Sequence, residues 1–383
     1  RRLKSGDVTL QHAGSRGYLK SLLKTLDVPI ESQLLVFSKT ALNQKLIGPT
    51  NPRAIYFNDD IYIAWVKGAA AIEISAVDPN KGGMFYLLSQ NEKKPPRFER
   101  LEQCLACHAG TTTLQVPGHM TRSFLTDARG KPLVGYSRIT HDKPLSKRWG
   151  GWYVTGTSGK QTHMGNMTVK DRRFPERFDP AVGSNVTKLE DFFDTKRYLS
   201  SHSDIVSLMV MEHQTRMHNL LTHANYQARM AIHYEGILNK ALDRPESHRS
   251  DSTTRRFAHA GEKVVKGLLF CEEAELTSPI VGTSGFTKEF AAQGPNDRQR
   301  RSLREFDLKK RIFKYPCSYL IYSRPFDDLP QPVKDYVYNR LHEVLTGQDE
   351  TEDFAHLSPA DRQAILEILR ATKRDLPKSW QSD

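Results

Sequence analysis

Two cysteines and a histidine in the first third of the chain form the most specific chemical pattern in its 383 residues. Cys104, Cys107 and His108 read C-x-x-C-H. Two thiols at this spacing can each add to a vinyl group of a haem, and an imidazole directly after the second thiol can bind the iron from one side. The pattern therefore predicts one covalent haem c, with His108 as the proximal ligand.

Two other kinds of site would explain the cysteines without the histidine. A zinc site usually has a second pair of ligands at a matching spacing, and a thioredoxin-like dithiol lies in a βαβ unit. Neither context accompanies Cys104 and Cys107. The position of His108 is the feature that favours haem attachment over both alternatives.

From Cys104 to His108 the chain resembles c-type cytochromes. The resemblance implies electron transfer and export to the periplasm or another extracytoplasmic compartment, where haem c is attached. The whole chain also resembles a group of large exported bacterial proteins that have a single C-x-x-C-H motif and no assigned activity. The stretches that carry this second resemblance are Leu34 to Thr40, Gly150 to Gly156 and Glu212 to Asn219.

The ligand on the opposite face of the haem decides what the iron can do. A methionine or histidine there gives a six-coordinate electron carrier, whereas an open position can bind a small molecule. Met164 and Met167 follow His108 by 56 and 59 residues, close to the spacing of the axial methionine in small cytochromes c. His163 and Met120 are further candidates.

His213 competes with these residues because of its position on a predicted helix. Helical spacing gathers an apolar stripe in which His213 falls. The stripe consists of Val206, Met209, Val210, Met217, Leu220, Leu221 and Ala224. A histidine in such a stripe is often a core imidazole, yet a stripe with several methionines could also cover a haem, so both interpretations stay open.

The neighbours of His213 bear on a second kind of metal site. Glu212, His213, His218 and His223 lack the spacing of a diiron or zinc site on one helix. Glu212 and Arg216 are four residues apart, and we expect them to form an ion pair.

The elements around the motif are predicted to be β-rich. Short runs of Ile, Val, Tyr and Phe between turn residues predict an antiparallel meander before the motif, at 33–38, 54–57, 61–66, 71–77 and 84–88. After the motif we expect a hairpin of 124–126 with 133–136, and a strand within 150–156. Over 54–156 this texture resembles PAS-like or Cache-like haem c sensor domains.

From residue 199 onward the pattern becomes helical. Helices are predicted at 205–242 (as one or two), 257–274, 332–345 and 359–371, and a short strand at 319–322. An earlier amphipathic helix is expected at 14–26. The predicted fold class is α+β, not the small all-α cytochrome c fold. An antiparallel β-rich haem-binding part (1–198) precedes a mainly α-helical part (199–383), which is either a separate domain or packed with the first as one unit.

Charge and cysteine content limit the compartment and the partner. The net charge is +12 and no apolar run is long enough to span a membrane. Because the basic residues are spread along the chain without a nucleic-acid motif, we expect an acidic redox protein or a membrane-associated electron-transfer complex as the partner, and no nucleic acid. Cys271 and Cys317 form either a disulfide or two buried thiols.

Three functions from different classes fit these observations. The first is a monohaem electron carrier. The second is a haem enzyme, peroxidase-like or acting on a small molecule, with Arg122, His119 or Arg148 as distal groups. The third is a haem c sensor or interaction subunit whose helical part binds a protein.

Overall fold

The computed structural model describes residues 2–133, 137–170 and 179–380. A seven-stranded antiparallel sheet lies at the centre of the N-terminal part, with the order β6-β5-β4-β3-β2-β1-β9. Its strands are β1 (Leu34–Val36), β2 (Arg53–Phe57), β3 (Ile61–Trp65), β4 (Ala71–Asp78), β5 (Gly82–Ser89), β6 (Phe98–Arg100) and β9 (Trp152–Tyr153). The first six form a meander, and β9 returns from beyond the C-x-x-C-H motif to pair with β1.

Two short ribbons accompany the sheet. In one, β7 (Arg122–Ser123) pairs with β8 (Ser137–Arg138), and in the other β10 (Gly156–Thr157) pairs with β11 (Val281–Gly282). The second ribbon joins the β-rich part to the helical part. The predicted α+β class is confirmed, as are the five strands expected before the motif.

The α-helices are unevenly distributed along the chain. Three short ones lie in the first part: α1 (Arg2–Ser5), α2 (Leu19–Thr25) and α3 (Leu105–His108). The second part contains α4 (Ile205–Ala241), α5 (Asp251–Leu268), α6 (Phe286–Ala292), α7 (Arg324–Asp327), α8 (Gln331–Leu345) and α9 (Pro359–Thr372).

The ends of the principal helices follow from local chemistry. Asp204 is the N-cap of α4, and its side chain accepts hydrogen bonds from the backbone N–H groups of Val206 and Ser207. No proline interrupts the next 37 residues, which form one helix. Ser358 and Asp361 form a capping box at the start of α9, with Pro359 in the first turn.

Alternation along the strands gives the sheet two buried faces. Leu34 and Val36 belong to a core shared with α4, whereas Leu35 and Phe37 belong to a second core shared with α2. Because successive side chains of a strand point to opposite faces, a three-residue strand that is buried throughout must be covered on both sides. The larger core extends from Leu34 to Trp380, so the division between 198 and 199 stays a prediction.

Several predicted elements are wrong in type or extent. The 124–126 segment is not a strand, although Thr126 bridges Pro132, and 134–136 lie outside the described residues. Residues 319–322 form a 3-10 helix, because Ser318 caps them by accepting from the N–H of Leu320. Helix α5 begins at Asp251, six positions before the predicted start, because Ser250 is its N-cap.

The two cysteines outside the motif are buried free thiols in this structure. Cys271 is 3% and Cys317 is 0% exposed. The disulfide alternative is therefore not what the structure contains. Among the described residues, no helix is both long and apolar enough to cross a membrane.

Candidate haem-attachment site

The motif lies on one short turn of helix at the end of the meander. Cys104 has helical backbone angles and directly precedes α3, which contains Cys107. Residues three apart on a helix share one face, so both side chains project from the same side of the turn. Cys104 is half-buried and Cys107 is exposed, which leaves both thiols outside the hydrophobic core.

His108 is oriented through one of its ring nitrogens. Its Nδ1 lies 2.9 Å from the backbone carbonyl oxygen of Gly118, and its ring lies against Phe85 of β5 with the ring centroids 4.6 Å apart. When Nδ1–H donates to a backbone carbonyl, Nε2 carries the free lone pair that can bind a metal. The arrangement suits an iron ligand.

The carbonyl that holds His108 is itself fixed by two elements. Asn219 of α4 accepts from the backbone N–H of His119 (2.9 Å) and donates to its carbonyl (2.7 Å). On the other side, the N–H of Gly83 donates to the Pro117 carbonyl at 2.8 Å. A Cβ at Gly118 would lie 2.2 Å from Asn219 Oδ1, so this close approach requires glycine. Strand β5 and helix α4 thus jointly set the direction of the imidazole.

The surroundings of His108 favour its neutral form, the form that ligates a metal. Burial lowers the pKa of His108, and the positive charges of Arg53 and Arg122 lower it further, although the Gly118 hydrogen bond opposes them. Arg53 forms an ion pair with Glu73 at 2.5 Å. Burial also raises the pKa of the half-buried Cys104 thiol.

Met164 lies next to the strand that carries Arg122. Its sulfur is 3.9 Å from the hydroxyl of Ser123 in β7, and its backbone N–H donates to the Arg148 carbonyl at 2.9 Å. The side chain is only partly buried. Met164 thus contacts β7, the strand that contains Arg122, and the charge of Arg122 lowers the pKa of His108.

The remaining nearby candidates occupy other environments. Met167 packs close to Gly183, and Met120 lines a cavity described below. His163 is buried, its Nδ1 accepts from the N–H of Gly165 at 3.1 Å, and burial lowers its pKa to about 4.

His213 lies in the core shared by α4 and the C-terminal segments. Its Nε2 is 2.7 Å from Ser318 Oγ, its Nδ1 is 3.4 Å from Nδ1 of His141, and its ring stacks on Phe270 with the centroids 4.1 Å apart. Both ring nitrogens are already engaged. This placement favours a core imidazole over a haem ligand.

The three proposed distal groups all have structural contacts, among them a hydrogen bond from Arg122 to the Thr40 carbonyl at 3.4 Å. Arg148 pairs with Glu212 at 3.0 Å and donates to the carbonyls of Lys143 and His141. The expected pair of Glu212 with Arg216 is therefore wrong; Arg216 binds Asp142 instead, at 2.8 Å. Sequence spacing identifies neighbours on one helix, but Glu212 points into the protein, where a different segment supplies the cation.

A buried aromatic network behind the motif was not foreseen from the sequence. His119 hydrogen-bonds Ser75 through Nε2 and lies 4.6 Å from the Tyr62 ring, centroid to centroid. The Tyr62 hydroxyl is 3.1 Å from Nδ1 of His218 and accepts from Gln214 at 2.9 Å. Burial lowers the pKa of His119 and His218, so both rings are neutral at pH 7. No local pattern in the sequence pairs these strand and helix residues.

A cavity of about 210 Å³ lies beside the segment that follows Gly118. Met120 and Leu220 contribute apolar surface to it, and four cationic side chains also line it. They are Arg138, Arg216, Lys263 and Lys266. Glu272 lines it as well, and Arg216 and Lys266 are already paired with Asp142 and Asp353.

Comparisons with known proteins add no relative: no protein-family model, curated protein or solved structure matches this chain. The resemblances stated from the motif and from sequence texture therefore stay predictions.

Proposed function

We propose that this chain is a c-type haem protein that carries electrons. The observation that supports the proposal most strongly is the backbone carbonyl of Gly118 at 2.9 Å from Nδ1 of His108, directly after two cysteines on one face of a turn. A hydrogen bond of this kind fixes both the tautomer and the plane of a metal-binding imidazole. Neither a dithiol redox site nor a structural turn requires it.

The residues of the site fit the group that the motif implies. Cys104 and Cys107 would hold the porphyrin, each thiol adding its sulfur to one carbon of a vinyl group and its hydrogen to the other. His108 would bind the iron through Nε2. The haem, when bound, supplies reversible one-electron exchange at the iron. Asn219 acts at a distance, because it holds the backbone at His119 and with it the Gly118 carbonyl that orients His108.

Met164 is our choice for the sixth ligand. The Ser123 contact places its sulfur beside β7, whose Arg122 acts electrostatically on His108, whereas both nitrogens of His213 are engaged elsewhere. A thioether ligand favours a higher reduction potential than a second imidazole. The chain would then be an electron acceptor of comparatively high potential in an extracytoplasmic compartment.

The charge of +12 supports an acidic redox partner. The second candidate is a haem enzyme, and the cavity beside Met120 favours it, because a small substrate could bind there. The third, a sensor subunit, has no specific observation in its favour.

Absorption spectra of the purified ferrous protein with and without carbon monoxide test the first function against the second. We expect no spectral change on adding carbon monoxide, since a carrier has both axial positions filled. Rapid binding by the unaltered protein would contradict the carrier and favour the enzyme.

A further inference from the structure

The last three turns of α4 carry a row of apolar side chains that no part of the described chain covers. Met230, Tyr234, Ile237, Leu238 and Leu242 are between 43% and 55% exposed. The first four recur at intervals that place them on one side of a helix, and Leu242 is the C-cap residue. We refer to these five residues as the α4 ridge.

The opposite side of the same turns is firmly packed. Ala231 is buried in the core that contains residues of α4 and α5, and the amide of Asn239 donates to the His248 carbonyl at 3.0 Å. Glu235 is 2% exposed and accepts from Ser250, the N-cap of α5. The hairpin is therefore held in one orientation, and the α4 ridge faces outward.

Basic side chains surround the ridge. His233 and Lys240 lie along its flank and Arg244 at its end, all of them exposed. The loop and the first turns of α5 add exposed cations at Arg249, Arg255 and Arg256. Three exposed acidic residues, Asp243, Glu246 and Asp251, lie in the same region, so positive charge predominates.

We propose that the α4 ridge lies in the interface of a membrane that contains anionic phospholipids. An apolar helix face with cations beside it binds such surfaces by shallow burial of its apolar side chains together with attraction to the headgroups. The helix would lie on the membrane without crossing it. The inference does not depend on haem attachment.

The charges favour a lipid surface over a second copy of the chain. Two ridges facing each other would bring together the same basic flanks, and two molecules of charge +12 repel at low salt. A single helix face is also convex, and it can enter a lipid interface without needing a groove in its partner.

Vesicle co-sedimentation with the full chain tests the proposal. The probes are phosphatidylcholine vesicles with and without about one third phosphatidylglycerol. We expect binding to the anionic vesicles, and a decrease of about tenfold or more in affinity for the double variant Ile237→Glu, Leu238→Glu, which puts charge into the apolar face. Because both side chains are exposed, circular dichroism and the melting temperature should stay unchanged.

The matched control changes two exposed apolar residues away from the ridge. Val182 is 74% and Val281 is 58% exposed, so Val182→Glu, Val281→Glu adds the same charge and removes a similar kind of exposed surface. Unchanged binding of this control supports the ridge. Equal losses in both double variants would overturn the proposal, because they would reflect net charge alone.

Three other results would also overturn it. The first is that the unaltered chain does not bind anionic vesicles at low salt. The second is that the Ile237→Glu, Leu238→Glu variant binds as tightly as the unaltered chain. The third is that light scattering shows a dimer of the unaltered chain and a monomer of this variant. The last would mean that a second copy covers the ridge.

Discussion

His108 depends on a residue ten positions away that its own motif does not indicate. Five residues of sequence are enough to identify the cysteines and the histidine. The Gly118 carbonyl orients the imidazole of His108 because Asn219 and Gly83 hold the 117–119 segment in place. Hydrogen bonds of this kind join segments that are far apart in the chain. Local patterns therefore predict the ligand and leave its support unknown.

Replacing Met164 tests the axial ligand. In Met164→Ala we expect the ferric protein to lose the methionine-to-iron charge-transfer band, the reduction potential to fall, and the ferrous form to bind carbon monoxide, because the thioether is gone. Visible spectra and a redox titration measure all three changes.

Met120→Ala and His213→Ala serve as controls for that experiment. Met120 lines the cavity of about 210 Å³, and His213 is hydrogen-bonded to Ser318. Both variants should therefore keep the charge-transfer band. Loss of the band in either control, with its retention in Met164→Ala, would contradict our assignment.

Secondary-structure elements were predictable where periodicity alone determines them. The meander strands and α4 follow from alternation and from a long stretch without proline. The strand prediction for 319–322 is wrong because a run of buried apolar residues is compatible with both a strand and a 3-10 helix. Tyr319, Leu320 and Ile321 are all buried. The prediction for His213 has the same limit. The apolar stripe of α4 indicates which face of the helix is buried, but it does not indicate which residues or groups cover that face.

Asp204 connects α4 to the segment that follows β11 through one buried carboxylate. It caps α4 through Oδ1, and its Oδ2 accepts from the N–H groups of Thr283 (2.7 Å) and Ser284 (2.8 Å), next to β11. Asp204→Ala would leave four backbone N–H groups without this partner, two of them buried and two partly buried. We expect a loss of about 3–5 kcal/mol in the free energy of unfolding. Urea denaturation followed by circular dichroism measures it.

Asp194 provides the matched control, because it is also an N-cap aspartate but is exposed. It accepts a 3.2 Å bond from the backbone N–H of Lys196 and forms an exposed ion pair with Arg197 at 2.8 Å. Asp194→Ala should cost less than about 1 kcal/mol. Similar losses in the two variants would mean that Asp204 acts as an ordinary cap and does not join the elements.

At the scale of the whole molecule, the sheet is covered on both faces, and α4 supplies one of the covers. That helix also contributes Asn219 to the candidate haem-attachment site and, at its far end, the α4 ridge. One helix thus links the chemistry of the motif to the surface proposed to meet a membrane. Neither relation is visible from helical periodicity, which carries no information on tertiary neighbours.

Buried histidines should make the protein sensitive to acid. Burial lowers the pKa of His141 and His218 to about 3, and that of His213 well below its ordinary value. The unfolded chain protonates these imidazoles near pH 6.5, whereas the folded chain does not. Their contribution to the free energy of unfolding is therefore present above that pH and is lost as the pH falls below it. Each ring contributes up to ~1.4 kcal/mol per pH unit.

Two buried carboxyls act in the opposite direction. Burial raises the pKa of Glu212 and Glu273 to about 7, so the folded chain holds these protons more tightly and gains stability as the pH falls from 7 towards 4.5. The histidines are more numerous, and we expect the free energy of unfolding to decrease between pH 6.5 and 5 in urea titrations. In His141→Gln, the change of this free energy with pH should decrease by the contribution of about one proton. A stability that rises towards pH 5 would contradict this account.

The most direct test of the central claim is the mass of the denatured chain together with its pyridine haemochrome spectrum, after production in a bacterium that has the haem c attachment machinery. We predict one haem per chain that stays bound under denaturing conditions. In the Cys104→Ala, Cys107→Ala double variant we predict no covalently bound haem. A mass equal to that of the bare polypeptide, without a haemochrome spectrum, would contradict the account and favour a dithiol or zinc role for the two cysteines.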